Sequence, residues 1–178
     1  MTTICTIMKK ERTEKMGIGY GYKCSKCGYS FRMMNGIGMM FPFYYKETVL
    51  QAKDGKLGTG IQQFFVEHPD GAINAEYVTL CCCSCGRLVN DMDLTMYIPK
   101  KDSPRKIKTG RGAAKSAFQE REYVMSDELV NFYDEYAKYV HECTECGGKM
   151  RVIGDKEQLI CPKCRTTFEP SSEIIMWD

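Results

Sequence analysis

Eight of the chain's eleven cysteines fall into four C-x-x-C units: Cys24 and Cys27, Cys82 and Cys85, Cys143 and Cys146, Cys161 and Cys164. This spacing lets a tight turn present two thiolates to one ion while backbone N–H groups face the sulfurs. Two such turns complete a tetrahedron of four sulfurs. Gly28, Gly86 and Gly147 follow three of the units directly, and glycine enters the positive-φ conformation such a turn needs without steric cost. Four thiolates suit Zn2+ or iron. The expected cofactor is Zn2+, two per chain, with Fe as the lesser alternative.

The expected pairing follows distance along the chain. Only residues 147–160 separate the last two units, the spacing of a zinc ribbon: a strand over Lys149–Ile153, a turn at Gly154-Asp155 and a returning strand over Gln158–Ile160. The first two units are separated by residues 28–81 and read as a second ribbon with a long insertion. The alternative is a crossed arrangement, in which Cys24 and Cys27 share an ion with a C-terminal pair. Cys24-Ser-Lys-Cys27-Gly-Tyr and Cys161-Pro-Lys-Cys164 also resemble the two iron knuckles of a rubredoxin, though sequential pairing puts them in different sites.

Within Thr79-Leu-Cys-Cys-Cys-Ser-Cys-Gly86, knuckle spacing selects Cys82 and Cys85 as ligands. Choosing Cys81 gives C-x-x-x-C, and choosing Cys83 gives C-x-C; both are rarer. Cys5, Cys81 and Cys83 are left over, either as small buried hydrophobes or as redox-sensitive thiols.

The chain has 178 residues, a net charge of +2 and 43% hydrophobic residues, with a mean hydropathy of −0.38. That near-neutral charge predicts no global attraction to nucleic acid or membrane. No apolar run reaches the roughly 18 residues a membrane helix needs, and the N-terminal apolar patch followed by charge is the reverse of a secretory signal. The expectation is a cytoplasmic protein without a membrane partner. There an odd number of cysteines in C-x-x-C spacing points to metal rather than disulfides.

The elements that must position the cysteines read as α+β: two zinc-ribbon β modules, a helical insertion in the first, and a linking helix between them. The division is 1–121, with the insertion inside 24–85 and a basic loop at 100–115, and 122–178, the linking helix and C-terminal ribbon. Helices are expected over Lys46–Lys53, stopped at Asp54-Gly55, and over Gly60–Glu67, with Ile61, Phe64 and Phe65 on one face. Leu88–Pro99 reads as a turn and a strand, and Glu173–Trp177 as a further strand or a cover for the core. Ser126 is placed as the N-cap of a helix over Asp127–Val140, with Leu129, Tyr133, Tyr136 and Val140 on its apolar face. Met33, Met34, Met39, Met40, Phe41, Phe43, Tyr44 and Tyr45 form a Met and aromatic cluster that either fills the core or makes an adaptable docking surface.

CGYSFRMMNGIGMMFP, EHPDGAINAEYVTL, MYIPK and HECTECGGKM together resemble a group of small bacterial zinc-ribbon proteins without an assigned activity. The resemblance spans most of the chain. It implies a knuckle, a helical insertion, a second knuckle and a C-terminal ribbon, and it supports the eight ligands.

Four-cysteine sites are closed, whereas hydrolytic zinc sites keep an open position. His68 and His141 are the only histidines, with His141 a remote alternative ligand, and no phosphate loop or nucleophile elbow is present. The expectation is therefore a non-enzymatic zinc-binding adaptor, regulator or inhibitor acting on a protein partner. The alternative is nucleic-acid binding through Lys100, Lys101, Arg105, Lys106, Lys108, Arg111 and Lys115; that run could equally be solvated or dock on the acidic residues after it. An iron or thiol redox protein ranks below both.

Overall fold

The computed structural model describes residues 17–101, 123–154 and 157–177. Two hairpins begin the architecture, each turning through a C-x-x-C unit. In the first, β1 (Gly17–Lys23) pairs antiparallel with β2 (Ser30–Asn35), from Ile18 opposite Asn35 to Lys23 opposite Ser30. In the second, β4 (Tyr77–Cys82) pairs antiparallel with β5 (Leu88–Met92), from Tyr77 opposite Met92 to Cys81 opposite Leu88.

The chain's end supplies the third strand of each sheet. β8 (Met150–Val152) adds to β4, setting Cys82 opposite Met150, and β9 (Glu169–Trp177) adds to β1 over its whole length. Two asparagines stitch the hairpins together. The Asn90 Oδ1 accepts from the Met34 N–H and the Thr79 hydroxyl, its Nδ2 donates to the Arg32 carbonyl at 2.8 Å, and the Asn35 Oδ1 accepts from the Thr79 N–H. Thr79 is fully buried, so these bonds satisfy polar groups that would otherwise destabilise the interior.

Between the hairpins run α1 (Phe41–Lys53) and α2 (Thr59–Glu67). α1 starts five residues before the expected Lys46. Pro42 sits in its first turn, where proline's missing N–H has no intrahelical role to lose. Both helices pack on a third sheet of β3 (Ala72–Ile73), β6 (Met96–Pro99) and β7 (Tyr133–Ala137). Phe41, Tyr45, Ile61, Phe64, Phe65 and Leu129 lie in this main core. Leu88–Pro99 is thus two strands, β5 and β6, each in a different sheet.

The linking helix is a correction. α3 covers only Ser126–Phe132, and Tyr133 onward is strand β7 paired with β6. The aromatic residues of Phe132-Tyr-Asp-Glu-Tyr136 fit a half-buried sheet as well as a helix face, and β6 offers an edge to pair with. The Lys100 ammonium donates to the Val130 and Asn131 carbonyls, and the Lys100 N–H donates to the Phe132 carbonyl; these bonds satisfy the acceptors left at the end of the short helix. The N-cap falls on Met125 rather than Ser126, and the buried Glu128 carboxylate accepts the Met125 N–H at 2.7 Å.

The expected C-terminal hairpin is also corrected. β8 forms, but its partner is β4. Gln158–Ile160 is not a strand: Ile160 makes an isolated bridge to Thr167, and Leu159 is buried. The helices expected within the first ribbon therefore lie between two hairpins that belong to different cysteine clusters.

Candidate metal centres

The four C-x-x-C turns are built alike. The residue after the second cysteine donates its N–H to the carbonyl of the first: Gly28 to Cys24, Gly86 to Cys82, Gly147 to Cys143 and Arg165 to Cys161, all between 2.8 and 3.0 Å. The N–H of each first cysteine donates in turn to Tyr29, Arg87, Gly148 or Thr166. All four residues after the second cysteine have positive φ, between 63° and 78°. Arg165 stands where the other three turns have glycine.

The pairing is crossed. Cys24, Cys27, Cys161 and Cys164 form one cluster, and Cys82, Cys85, Cys143 and Cys146 form the other; within each, the four sulfurs lie within 4.8 Å of one another. Sequential pairing is overturned by the strands: β9 on β1 carries the fourth turn to the first, and β8 on β4 carries the third to the second. The Cys83 N–H donates to the Lys149 carbonyl at 2.9 Å and fixes the second join at the turn itself.

The donor geometry fits a metal ion. Sulfur–sulfur distances are 3.4 Å (Cys24–Cys164), 3.6 Å (Cys27–Cys161), 3.5 Å (Cys82–Cys146) and 3.7 Å (Cys85–Cys143). A disulfide would need about 2.05 Å. A tetrahedron with metal–sulfur bonds of about 2.3 Å has edges of about 3.8 Å, close to what is found.

The electrostatics agree. Burial opposes ionisation of Cys82, but the N–H groups of Cys85 and Ser84 and the neighbouring thiols outweigh it and bring the pKa down to about 6. Cys164 is likewise lowered to about 6, first by the Thr166 hydroxyl and then by the Thr166 N–H. Their cluster mates move the other way. At Cys146 the Gly148 N–H favours the thiolate, yet Cys82 and Cys85 push the group up to about 12. At Cys27 the Tyr29 N–H is outweighed by burial and by Cys164, Cys161 and Cys24, again to about 12. Four crowded thiols cannot all ionise alone, and a bound cation would supply the missing charge.

Cys81 belongs to neither cluster. It is half-buried, its thiol faces the Cys82 and Gly86 carbonyls, and burial raises its pKa. Cys83 is exposed and is also outside both clusters. Cys5 lies outside the described residues. His141 is not a ligand: its Nε2 sits 3.1 Å from the Asp93 carbonyl, and its Nδ1 lies on the Asp91 side. His68 ends α2 and packs against the Phe64 and Tyr136 rings.

Of the seven basic candidates, Lys100 is engaged at the end of α3 and Lys101 is exposed in a turn. Arg105, Lys106, Lys108, Arg111 and Lys115 lie outside the described residues.

Two contributors were missed in the sequence. A Cβ on Gly148 would stand 2.5 Å from the Ser84 hydroxyl and 3.2 Å from the Cys82 sulfur, so the third turn can approach the second only with glycine there. The doubled glycine of Cys146-Gly-Gly148 is a signal that could have shown it. Arg87 pairs with Glu145 across the same cluster.

Comparison with known protein families, curated proteins and solved structures finds no match for the chain. The likeness to zinc-ribbon proteins therefore rests on the quoted segments and the two clusters.

Proposed function

We propose that the protein is a non-enzymatic, zinc-dependent interaction module, with two zinc-ribbon-like sites holding a scaffold that docks on a protein partner as adaptor, regulator or inhibitor. The observation that carries this reading is the division of the Met and aromatic cluster. Met33, Phe41 and Tyr45 are buried, whereas Met39 is 75% exposed and Phe43 57%, with Met40 and Tyr44 also standing out. Leu50, seven residues after Phe43 and so on the same face of α1, is 62% exposed. Exposed apolar side chains grouped at the start of a helix and along one face of it are a docking feature, and methionines adapt to a partner's shape.

The metal residues have holding roles. Zn2+ at each cluster would supply charge neutralisation and a cross-link between distant turns. Cys24, Cys27, Cys161 and Cys164 would hold one ion, and Cys82, Cys85, Cys143 and Cys146 the other. Four protein ligands leave no position for substrate. The cavity beside Cys143, lined by Leu80, Asn90, Asp91 and His141, has a volume of about 170 Å3, below the roughly 300 Å3 at which small-molecule sites begin.

The test is capture of partners from the native cell by purified protein and by Met40→Ser/Phe43→Ser. Loss of one large protein partner, with two zinc per chain retained in both proteins, supports the reading. Equal capture by both would reject the patch. Copurified nucleic acid with steep salt dependence would move the function to the 100–115 arm.

A further inference from the structure

Arg165 occupies a position its own turn does not favour. Its φ is 63°, a left-handed conformation that L residues with a Cβ adopt at a cost and glycine adopts freely. The three equivalent positions are glycines at 66°, 71° and 78°. Glycine would serve the local turn better, so the retained side chain points to a use elsewhere.

That use is visible in the other cluster. The Arg165 Nη2 donates to the carbonyl of Cys85 at 2.8 Å. Its guanidinium also lies over Gly86, where a Cβ would stand 2.4 Å from Nη1. At Gly28 and Gly147 the same construction meets nothing within 4 Å. Glycine at 86 thus suits the turn and leaves room for the arginine as it lies. The guanidinium is a permanent cation with several N–H donors in one plane, and it is bonded to the main chain of a ligand in a site that carries two net negative charges when four thiolates hold a divalent ion. Leu88 and Ile153 pack with Cys24, Cys161 and Phe168 in one apolar cluster, which keeps the two sites in register.

We propose that Arg165 is a positioning residue through which the first metal site sets the affinity of the second. Metal at Cys24, Cys27, Cys161 and Cys164 fixes the fourth turn and aims the guanidinium at Cys85. The second site then closes on a carbonyl already held and a charge already offset. Because coupling free energies are reciprocal, metal at the second site favours the first by the same factor. Zinc loading is therefore cooperative across the chain. This rests on the two-zinc reading above.

Arg165→Gly tests it cleanly, because the substitution relieves the fourth turn while removing the guanidinium. Zinc-loaded wild type, Arg165→Gly and Arg165→Lys are challenged with graded chelator, and cysteine alkylation is followed by mass spectrometry, which reads each cluster separately. In Arg165→Gly, Cys82, Cys85, Cys143 and Cys146 should lose protection at about tenfold lower chelator, the lower end of what loss of an outer hydrogen bond to a metal ligand costs. Cys24, Cys27, Cys161 and Cys164 lose the reciprocal coupling as well, but relief of the fourth turn offsets part of it, so their protection should fall by less than that of the second cluster. Arg165→Lys, which keeps charge without the planar fork, should fall between. Unchanged protection of both clusters, or loss beginning at Cys161 and Cys164, would overturn the proposal. Fewer than two zinc in the wild type would instead remove the two-zinc reading and the coupling with it.

Discussion

The two cysteine clusters use the same turn four times but are closed by different means. The first joins sulfurs 134 and 140 residues apart, the second sulfurs 58 and 64 apart. Loop length alone separates them little, since doubling a loop costs only about 0.6 kcal/mol of closure entropy. Their surroundings differ more. Around the first, Cys24 and Cys161 are buried with Met33, Leu159 and Phe168, and Tyr22 and Tyr29 pack their rings on Phe168. Around the second, Cys82 and Cys143 are buried as well but Cys146 is exposed, and polar or close contacts between turns add to the apolar cover: Arg87 with Glu145, Arg165 on Cys85, and Gly148 against Ser84. The first cluster is enclosed by aromatic packing, and the second, with one exposed cysteine, leans more on contacts between its turns.

Ligand removal should break the comparison most strongly. Structural zinc contributes folding free energy on the order of 10 kcal/mol. Cys161→Ser should lower zinc from two to one per chain and release β9 from β1, read by elemental analysis and by protease cleavage after residue 168. Cys146→Ser should weaken its site while leaving β9 resistant. Equal protease sensitivity in the two variants would show that the clusters are not differently supported.

The cysteine run sharpens the same contrast. Cys82→Ser should lose one zinc, whereas Cys81→Ser and Cys83→Ser should keep two. Retention in Cys82→Ser with loss in Cys83→Ser would reassign the ligand.

The glycines give the smallest and most graded effects. Gly147→Ala meets open space, so it should cost only the positive-φ strain, about 1 kcal/mol at the low end for such positions. Gly86→Ala adds displacement of Arg165, and Gly148→Ala adds intrusion on Ser84 and Cys82. Thermal unfolding of the zinc-loaded proteins should rank Gly147→Ala as the mildest; identical midpoints for all three would contradict the packing between turns.

The eight clustered cysteines were legible because C-x-x-C spacing is local chemistry; the helices expected over Lys46–Lys53 and Gly60–Glu67 were legible because the Asp54-Gly55 stop and the Ile61, Phe64 and Phe65 face are local as well, although the first begins at Phe41. Pairing was not. It depends on β8 choosing β4 and β9 choosing β1, and a three-residue strand such as Met150–Val152 carries no mark of its partner. The helix expected through Val140 failed for a related reason: Tyr133 and Tyr136 satisfy a helical period, but β6 presents an edge that only the folded chain reveals. Arg165 was visible as the one turn without glycine; its meaning required knowing which turn lay opposite.

Crossed pairing is most directly tested by Cys24→Ser in the zinc-loaded protein, with alkylation of each cysteine read by mass spectrometry at low chelator. The account predicts one zinc per chain, rapid alkylation of Cys27, Cys161 and Cys164, and continued protection of Cys82, Cys85, Cys143 and Cys146. Rapid alkylation of Cys82 and Cys85 together with Cys27, while Cys161 and Cys164 stay protected with Cys143 and Cys146, would contradict it and restore sequential pairing.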